Sequence, residues 1–293
     1  ALSAMRSSPE EIKDGEIAFF GGSFTAIDRD YMIELLSSAQ EFIGENGFKG
    51  IRISTRPDAV DGEICDILEK YHVTAVELGA QSTNDKVLAM NRRGHTREDI
   101  FRSARLLKER GFETGLQMMT GLYGSNDEDS IGTARDIISL SPDTARIYPT
   151  VVIENTELAE LYRNGEYRPQ TPEEAAVLCA KILPMFERAG IKVIRLGLHS
   201  GGDVEGSFVA GAYHPALREM CEGHIYFDII NRALSGKEKG KYIIYVAPRE
   251  VSKASGQRRC NIEKLRELGY ECRIKENAAL SARDITLEKV NLL

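Results

Sequence analysis

Apolar and polar residues follow two alternating patterns along most of the chain. Short runs rich in β-branched and aromatic residues are typical of buried strands, and the segments between them repeat apolar residues every three or four positions, as amphipathic helices do. This alternation predicts an α/β fold in which crossover helices join parallel strands, either as a barrel or as a doubly wound sheet. The predicted strands are residues 16–20, 50–54, 75–79, 114–119, 144–148 and 192–196.

Turn and capping residues mark where the helices begin and end. Gly47, Gly111 and Gly190 each follow a predicted helix, at a position that favours a left-handed backbone. Residues 171–174, with the sequence TPEE, have the pattern of a capping box with proline at the first helical position.

The first five predicted strands end in or are followed by residues that differ from a plain connector. Ligands bind at the carboxyl ends of parallel strands in both candidate architectures, so we predict an enzyme-like site at that edge of the sheet. The segments concerned are GGSFT at 21–25, STRPD at 54–58, ELGAQS at 77–82, QMMTG at 117–121 and YPT at 148–150.

The pattern changes after about residue 235. A strand at 241–247, a short helix at 248–254, a turn at 256–259, a helix at 261–268 and a strand at 270–275 give the order β-α-α-β. We therefore predict three parts, 1–198, 199–235 and 236–293. The glycine-rich residues 199–215 are predicted to form a loop across the barrel mouth.

Charge and composition narrow the function classes. The chain has 293 residues with 42% hydrophobic and 28% charged residues, which excludes a disordered chain, and no apolar run is long enough to span a membrane. The net charge of -7 argues against non-specific binding of nucleic acid by the whole chain. Residues 236–276 are an exception, because they carry eleven Lys/Arg and six Asp/Glu and are therefore locally basic. Five cysteines without C-x2-C spacing favour reduced thiols and a cytoplasmic location.

Six segments in a fixed order carry a family resemblance. IAFFGGSFTAID, IRISTRPD, VELGAQS, NRRGHT, GLQMMTGLYG and RIYPTVVIENTEL resemble the radical S-adenosylmethionine core of the Elongator catalytic subunit and its shorter bacterial relatives. The resemblance covers residues 16–198. It implies a partial parallel (β/α) barrel, S-adenosylmethionine and a [4Fe-4S] cluster as cofactors, and a reductant protein such as ferredoxin or flavodoxin.

The resemblance also implies which residues bind the cofactor. The Gly-Gly-Ser motif matches the family's site for the methionine amino group, and Arg93 matches a basic residue that pairs with the methionine carboxylate. Gln117 and Ser54 fall where relatives hold the ribose with carboxylates. The cofactor-binding residues implied are Gly21, Gly22, Ser23, Ser54, Gln81, Arg93 and Gln117.

Three further residues are candidates for catalysis. His95 and Tyr148 are expected at the same edge of the barrel, and His214 is expected in the loop after the last strand-helix unit. Their side chains suit substrate contact or proton transfer.

Two motifs have a structural interpretation as well as a functional one. Glu77 fits either a buried, hydrogen-bonded barrel carboxylate or a site group. Arg56 and Asp58 fit either a local ion pair in a turn or a role at the edge of the barrel.

The metal ligands of the family are absent from this sequence. The family binds its cluster through C-x(2 to 9)-C-x2-C upstream of the Gly-Gly motif, and no cysteine precedes Gly21 here. This chain therefore cannot bind the cluster in the family manner, and we expect a truncated chain lacking the first strand and cluster loop rather than a degenerate protein. Cys221, His214 and His224 form an incomplete zinc set, so no metal site is assigned.

The C-terminal part resembles a second family. Residues 251–262 resemble the signature of KH modules, which clamp a nucleic-acid backbone between two helices. Gly256 is kept, whereas Arg259 replaces the second glycine. The implied RNA-binding residues are Gly256, Gln257, Arg258 and Arg259, and a small β-α-α-β cap with a solvated basic face is the alternative.

Together these features predict a radical S-adenosylmethionine enzyme that makes a 5′-deoxyadenosyl radical to modify a tRNA wobble uridine or another RNA base. Transfer from acetyl-CoA is not supported, because the residues after Leu198 show no acetyltransferase pattern. One alternative is a non-catalytic RNA-binding scaffold that has lost the cluster. Another is a barrel lyase or aldolase that binds phosphate at Gly21 and Gly22, although no lysine ends a predicted strand for Schiff-base chemistry.

Overall fold

The computed structural model describes residues 14–45, 47–198 and 206–290. Its strands are β1 (Glu16–Phe19), β2 (Gly50–Thr55), β3 (Val73–Gln81), β4 (Glu113–Thr120), β5 (Thr144–Pro149), β6 (Val151–Ile153), β7 (Lys192–Leu196), β8 (Phe208–Gly211), β9 (Gly240–Val246), β10 (Tyr270–Glu276) and β11 (Ile285–Lys289). Its α-helices are α1 (Arg29–Gln40), α2 (Gly62–Lys70), α3 (Asp85–Met90), α4 (Arg97–Glu109), α5 (Asp127–Ser139), α6 (Glu157–Arg163), α7 (Pro172–Arg188), α8 (Leu217–Leu234), α9 (Val251–Ser255) and α10 (Cys260–Glu267).

The chain divides into two compact units. The first comprises the residues up to 150 together with 160–167 and 184–196, and the second comprises 151–159, 168–183 and the residues from 197 onward. The predicted division at residues 198 and 235 stays a prediction.

The first unit contains a six-stranded parallel sheet in the order β1-β2-β3-β4-β5-β7. All six predicted strands are confirmed, and so is the α/β class. The sheet is curled into a half-barrel: Cζ of Arg146 on β5 lies 5.2 Å from the ring centroid of Phe20, which directly follows β1. In a flat sheet these two strands would lie about 19 Å apart.

Alternation along the strands separates an apolar face from a polar one. On β2, Ile51 and Ile53 are fully buried, as is Leu36 of α1, whereas Arg52 and Ser54, which alternate with them, are half-buried. We call the face that carries Arg52, Ser54 and the residues in register with them the inner face of the half-barrel.

The sequence signals at the helix ends are mostly confirmed. Glu174 N donates to Thr171 Oγ1 and Thr171 N donates to Glu174 Oε2, which completes the capping box before α7. Gly111 and Gly190 have positive φ as predicted. The prediction for Gly47 is wrong: Gly44 has φ +133, and Gly47 is required instead because a Cβ there would lie 2.2 Å from a backbone carbonyl oxygen.

The second unit holds two small sheets. β6 and β8 pair antiparallel, and β10-β9-β11 form a three-stranded sheet in which β9 is parallel to β10 and antiparallel to β11. The predicted β-α-α-β order is confirmed, whereas β11 was not predicted. The prediction of a loop over 199–215 is wrong for β8, and residues 199–205 lie outside the described part. The core of this unit joins α8 to the three-stranded sheet through Tyr226, Ile230, Ile244, Leu265 and Tyr270.

Candidate functional site

A buried carboxylate organises the inner face of the half-barrel. Glu77 on β3 is 1% exposed. Arg146 Nη2 donates to its Oε1 at 2.6 Å, and Gln117 Nε2 donates to its Oε2 at 2.8 Å. Arg52 Nη1 lies 3.6 Å from Oε1, and Ser54 Oγ accepts from Gln117 at 3.4 Å. Two guanidinium groups and an amide therefore compensate the buried charge, so Glu77 is a hydrogen-bonded barrel carboxylate.

The same network continues towards the amino ends of the strands. Arg52 Nε lies 2.7 Å from Glu16 Oε2, and its Nη2 lies 2.7 Å from Glu113 Oε1. Thr74 Oγ1 also donates to Glu16. Cross-strand ion pairs thus fix Arg52 in place.

The loop after β1 is held at both of its ends. The rings of Phe19 and Phe24 stack with 4.9 Å between their centroids. Thr25 Oγ1 lies 2.6 Å from Thr55 Oγ1 and donates to the carbonyl oxygen of Ala59 at 2.6 Å. These contacts tie the loop to the carboxyl end of β2.

Between these anchors lie Gly21, Gly22 and Ser23. Gly21 has φ +108, a conformation that favours glycine, and a Cβ on either glycine would meet no atom within 4 Å. The Ser23 hydroxyl does not cap the short 3-10 turn that follows. The backbone of this loop is therefore uncovered, as the predicted amino-group site requires.

Gln81 ends β3 in a left-handed conformation, with φ +63. Its side chain is 8% exposed and folds back over Gly79, where a Cβ would lie 2.8 Å from Gln81 Nε2. The strand register shifts between these two residues. Gly79 therefore allows Gln81 to turn at the carboxyl edge of the sheet.

A half-buried arginine without a carboxylate partner in the described residues lies beyond α3. Arg93 Nε is buried and has no hydrogen-bond partner in the ranges that the structure describes. Burial, and then the positive charge of Arg56, lower the pKa of Arg93. Arg56 itself pairs with Asp58 by donating from Nε and from Nη2, which lowers the pKa of that carboxyl and confirms the local ion pair. Arg93 is therefore a cation whose surroundings favour an anionic ligand.

The three candidate catalytic residues have different surroundings. His95 is 5% exposed, its Nε2 donates to the carbonyl oxygen of Ala80 at 3.1 Å, and its Nδ1 is buried without a partner in the described residues. The Tyr148 hydroxyl lies on the inner face and accepts from Arg146 at 3.2 Å. His214 belongs to the second unit, where its Nδ1 accepts from Ala216 N before α8. Their roles in proton transfer stay predictions.

In the second unit, the 256–259 turn joins α9 to α10. Gly256 has φ +73, and a Cβ there would lie 2.7 Å from Cys260 Sγ, so only glycine fits. Gln257, Arg258 and Arg259 are exposed, and both arginines are left-handed, with φ of 51 and 64. The turn thus presents two cations to solvent in a backbone conformation that arginine rarely adopts.

Comparison with known families decides the assignment. The profile of the Radical SAM superfamily matches residues 5–137, and that of the Radical_SAM C-terminal domain matches residues 142–226. The chain belongs to the radical S-adenosylmethionine superfamily. This membership contradicts the alternative of an unrelated barrel lyase or aldolase.

Named relatives match only part of their own length. The tRNA uridine(34) acetyltransferase of Methanocaldococcus jannaschii is 32% identical over 196 residues, which cover 59% of this chain and 36% of that protein. Elongator complex protein 3 of Homo sapiens is 32% identical over 197 residues, covering 58% and 35%. The matched region thus spans little more than a third of these relatives.

A solved structure supports the fold. The Methanocaldococcus infernus Elp3 with an N-terminal deletion (1–46) superposes with a TM-score of 0.62 at 24% identity, covering 78% of this chain and 61% of that one. At this identity the likeness shows the radical S-adenosylmethionine fold alone.

The cysteines of this radical S-adenosylmethionine protein do not fit an iron-sulfur cluster. Burial raises the pKa of Cys65 and Cys272 to about 11 and that of Cys179 to about 12, which disfavours the thiolate that a metal binds. The described residues contain no group of three metal-ligating side chains. His224 Nε2 instead lies 3.1 Å from Glu173.

Sequence reasoning missed Arg52, Arg146 and Phe20 as members of the site. The signal was present: each arginine stands between apolar residues in a predicted strand, in IRIS and ARIY. In a half-barrel such positions face the inside, so alternation along β2 and β5 was enough to place them.

Proposed function

We propose that the first unit binds S-adenosylmethionine and that Arg93 receives the carboxylate of its methionine moiety. The observation that carries this proposal is the buried Arg93 Nε, which has no acceptor among the described residues. A carboxylate would supply both the missing acceptor and the missing negative charge, and guanidinium-carboxylate pairs are among the strongest hydrogen-bonded contacts.

The remaining cofactor-binding residues suit the other parts of the ligand. The uncovered backbone at Gly21 and Gly22 leaves room for the methionine ammonium group. Gln117 donates through Nε2 to Glu77, which leaves its carbonyl oxygen to accept from a ribose hydroxyl, with Ser54 beside it. Gln81 contacts the cofactor at the end of β3.

The proposed reaction is modification of a base in tRNA or another RNA. S-adenosylmethionine bound here and reduced by one electron would supply methionine and a 5′-deoxyadenosyl radical, the species that would take hydrogen from the substrate. The similarity to the tRNA uridine(34) acetyltransferase of Methanocaldococcus jannaschii supports an RNA substrate. In this proposal the electron comes from a reductant protein such as ferredoxin or flavodoxin. His95, Tyr148 and His214 are the candidates for proton transfer.

Calorimetric titration of the 293-residue chain with S-adenosylmethionine tests cofactor binding. We expect Arg93→Gln to weaken the affinity about tenfold to a hundredfold, the effect of losing a charged hydrogen-bonded pair. Arg102→Gln is the matched control, because Arg102 is half exposed and pairs with Asp99 on the surface of α4. Equal affinity of Arg93→Gln and the unsubstituted chain would refute this role of Arg93, and absence of binding to the unsubstituted chain would refute the proposed function.

We further propose that the 256–259 turn binds the RNA backbone. The proposal is supported by two exposed arginines with a left-handed backbone, which attract phosphate groups. Gly256 keeps the turn compact, because a side chain there would collide with Cys260. Replacing both Arg258 and Arg259 with Glu should lower tRNA affinity and reduce its salt dependence by about two phosphate contacts. Lys237→Glu with Lys275→Glu is the control, since both lysines are exposed in the same module.

Two outcomes of that experiment are decisive. Equal losses in both double variants would show a general charge effect and refute a specific role for the turn. Turn-dependent RNA binding without S-adenosylmethionine binding would favour the alternative function, a non-catalytic RNA-binding scaffold.

A further inference from the structure

Phe20 presents a half-exposed aromatic ring inside the half-barrel. It follows β1 directly and is 50% exposed. Its neighbour Phe19 points the opposite way, as alternate residues of a strand do, and stacks on Phe24. Because that stack anchors the loop, the Phe20 ring is directed to the inner face, where Arg146 lies.

One side of this ring is supported by a fixed cation. Cζ of Arg146 lies 5.2 Å from the ring centroid, within the range of a cation-π contact. Glu77 and the Tyr148 hydroxyl hold the Arg146 guanidinium by hydrogen bonds. The ring therefore has a rigid partner on the inner face, and half of its surface stays accessible to a planar ligand.

We infer that Phe20 stacks against the target base of the RNA substrate. The inference rests on the proposed function, because Gly21, the next residue, lies where the methionine part of S-adenosylmethionine is placed. The adenine is at the other end of that cofactor. A planar group on Phe20 therefore belongs to the substrate, and any of the four bases offers a π-face for such stacking.

The test uses an anticodon stem-loop RNA with the fluorescent base pyrrolocytosine at position 34, the position in the name of the tRNA-modifying relative. Stacking quenches this base. We expect quenching with the unsubstituted chain, loss of most of the quenching and about tenfold weaker binding with Phe20→Leu, and retention of both with Phe20→Tyr. Tyr31→Leu is the matched control, because Tyr31 is 53% exposed on α1.

The outcomes separate this inference from the proposed function. Unchanged quenching and affinity in Phe20→Leu, or no RNA binding by the unsubstituted chain, overturn the inference. Phe20→Leu could instead weaken only the binding of S-adenosylmethionine, measured by titration without RNA. In that case the ring holds the cofactor adenine, so the inference is overturned while the proposed function stands. If Phe20 governs RNA quenching but S-adenosylmethionine does not bind, the stacking contact stands and the proposed cofactor role fails. Thermal unfolding of each variant checks that it is folded.

Discussion

Two charged side chains in the first unit, Glu77 and Arg93, have opposite surroundings. Glu77 is 1% exposed, and two arginines and a glutamine compensate it. Arg93 has a buried Nε without an acceptor in the described ranges, and burial and then the positive charge of Arg56 lower its pKa. A compensated charge completes the fold, whereas an uncompensated one costs stability unless a ligand supplies the missing partner.

This difference separates structural from ligand-binding residues among similar polar side chains. Arg146 and Arg93 are both arginines of the half-barrel with buried guanidinium atoms. Arg146 donates a hydrogen bond to Glu77, so its role is to stabilise the fold. The Arg93 Nε has no acceptor among the described residues, so Arg93 is the residue for which a ligand is expected.

The largest expected effect is at the compensated charge. Glu77→Gln keeps the shape of the side chain but leaves two arginines without their buried carboxylate, so we expect a loss of about 3–5 kcal/mol in the free energy of unfolding. Urea unfolding followed by circular dichroism measures it. Glu63→Gln is the control, because Glu63 pairs with Arg29 at the surface and should lose only about 0.5 kcal/mol. Similar losses in both variants would contradict the compensation argument.

A smaller effect, of opposite sign, is expected at the uncompensated charge. Arg93→Met removes a half-buried cation whose Nε has no acceptor in the described residues and keeps an apolar side chain, so we expect a gain of about 1 kcal/mol in the absence of ligand. The same change at Arg146 should lower stability, because it leaves Glu77 short of a partner. The same urea experiment compares the two, and losses at both positions would refute the distinction between them.

The smallest effect concerns the pair beside Arg93. The hydrogen bond from Arg56 lowers the pKa of Asp58 below its ordinary value of 3.8. A lowered carboxyl pKa stabilises the folded state above that ordinary value, and this stability is lost as the pH falls through the lower folded value. We expect Asp58→Asn to cost below about 1 kcal/mol near neutral pH, since the pair is partly exposed. The difference from the unsubstituted chain should vanish in strong acid, and a difference that persists there would contradict an electrostatic origin.

The fold was largely predictable from the sequence because its signals are local. Strand runs, helical periodicity and capping residues act within a few positions, and they placed all six strands of the half-barrel. β11 was missed because ITLEK has two apolar residues and lies at a sheet edge. The turn at Gly47 was assigned wrongly because glycine is required there by the nearby carbonyl oxygen of Phe42, whose position the sequence does not reveal.

The site was predictable only in part because its contacts are distant in sequence. Arg146 meets Glu77 across 69 positions, and only the register of three neighbouring strands brings them together. The absence of a partner for Arg93 is likewise a property of packing. The family resemblance indicated Arg93 from its motif, but the physical reason for its role needed the structure.

The most direct test of the uncompensated-charge account compares two ligands at Arg93. Calorimetry with S-adenosylmethionine and with decarboxylated S-adenosylmethionine, on the unsubstituted chain and on Arg93→Gln, isolates the contact between the guanidinium and the carboxylate. We predict that the unsubstituted chain prefers the carboxylated ligand by about tenfold or more and that Arg93→Gln loses this preference. The same preference in both proteins would contradict the account, because the carboxylate would then be bound by another group.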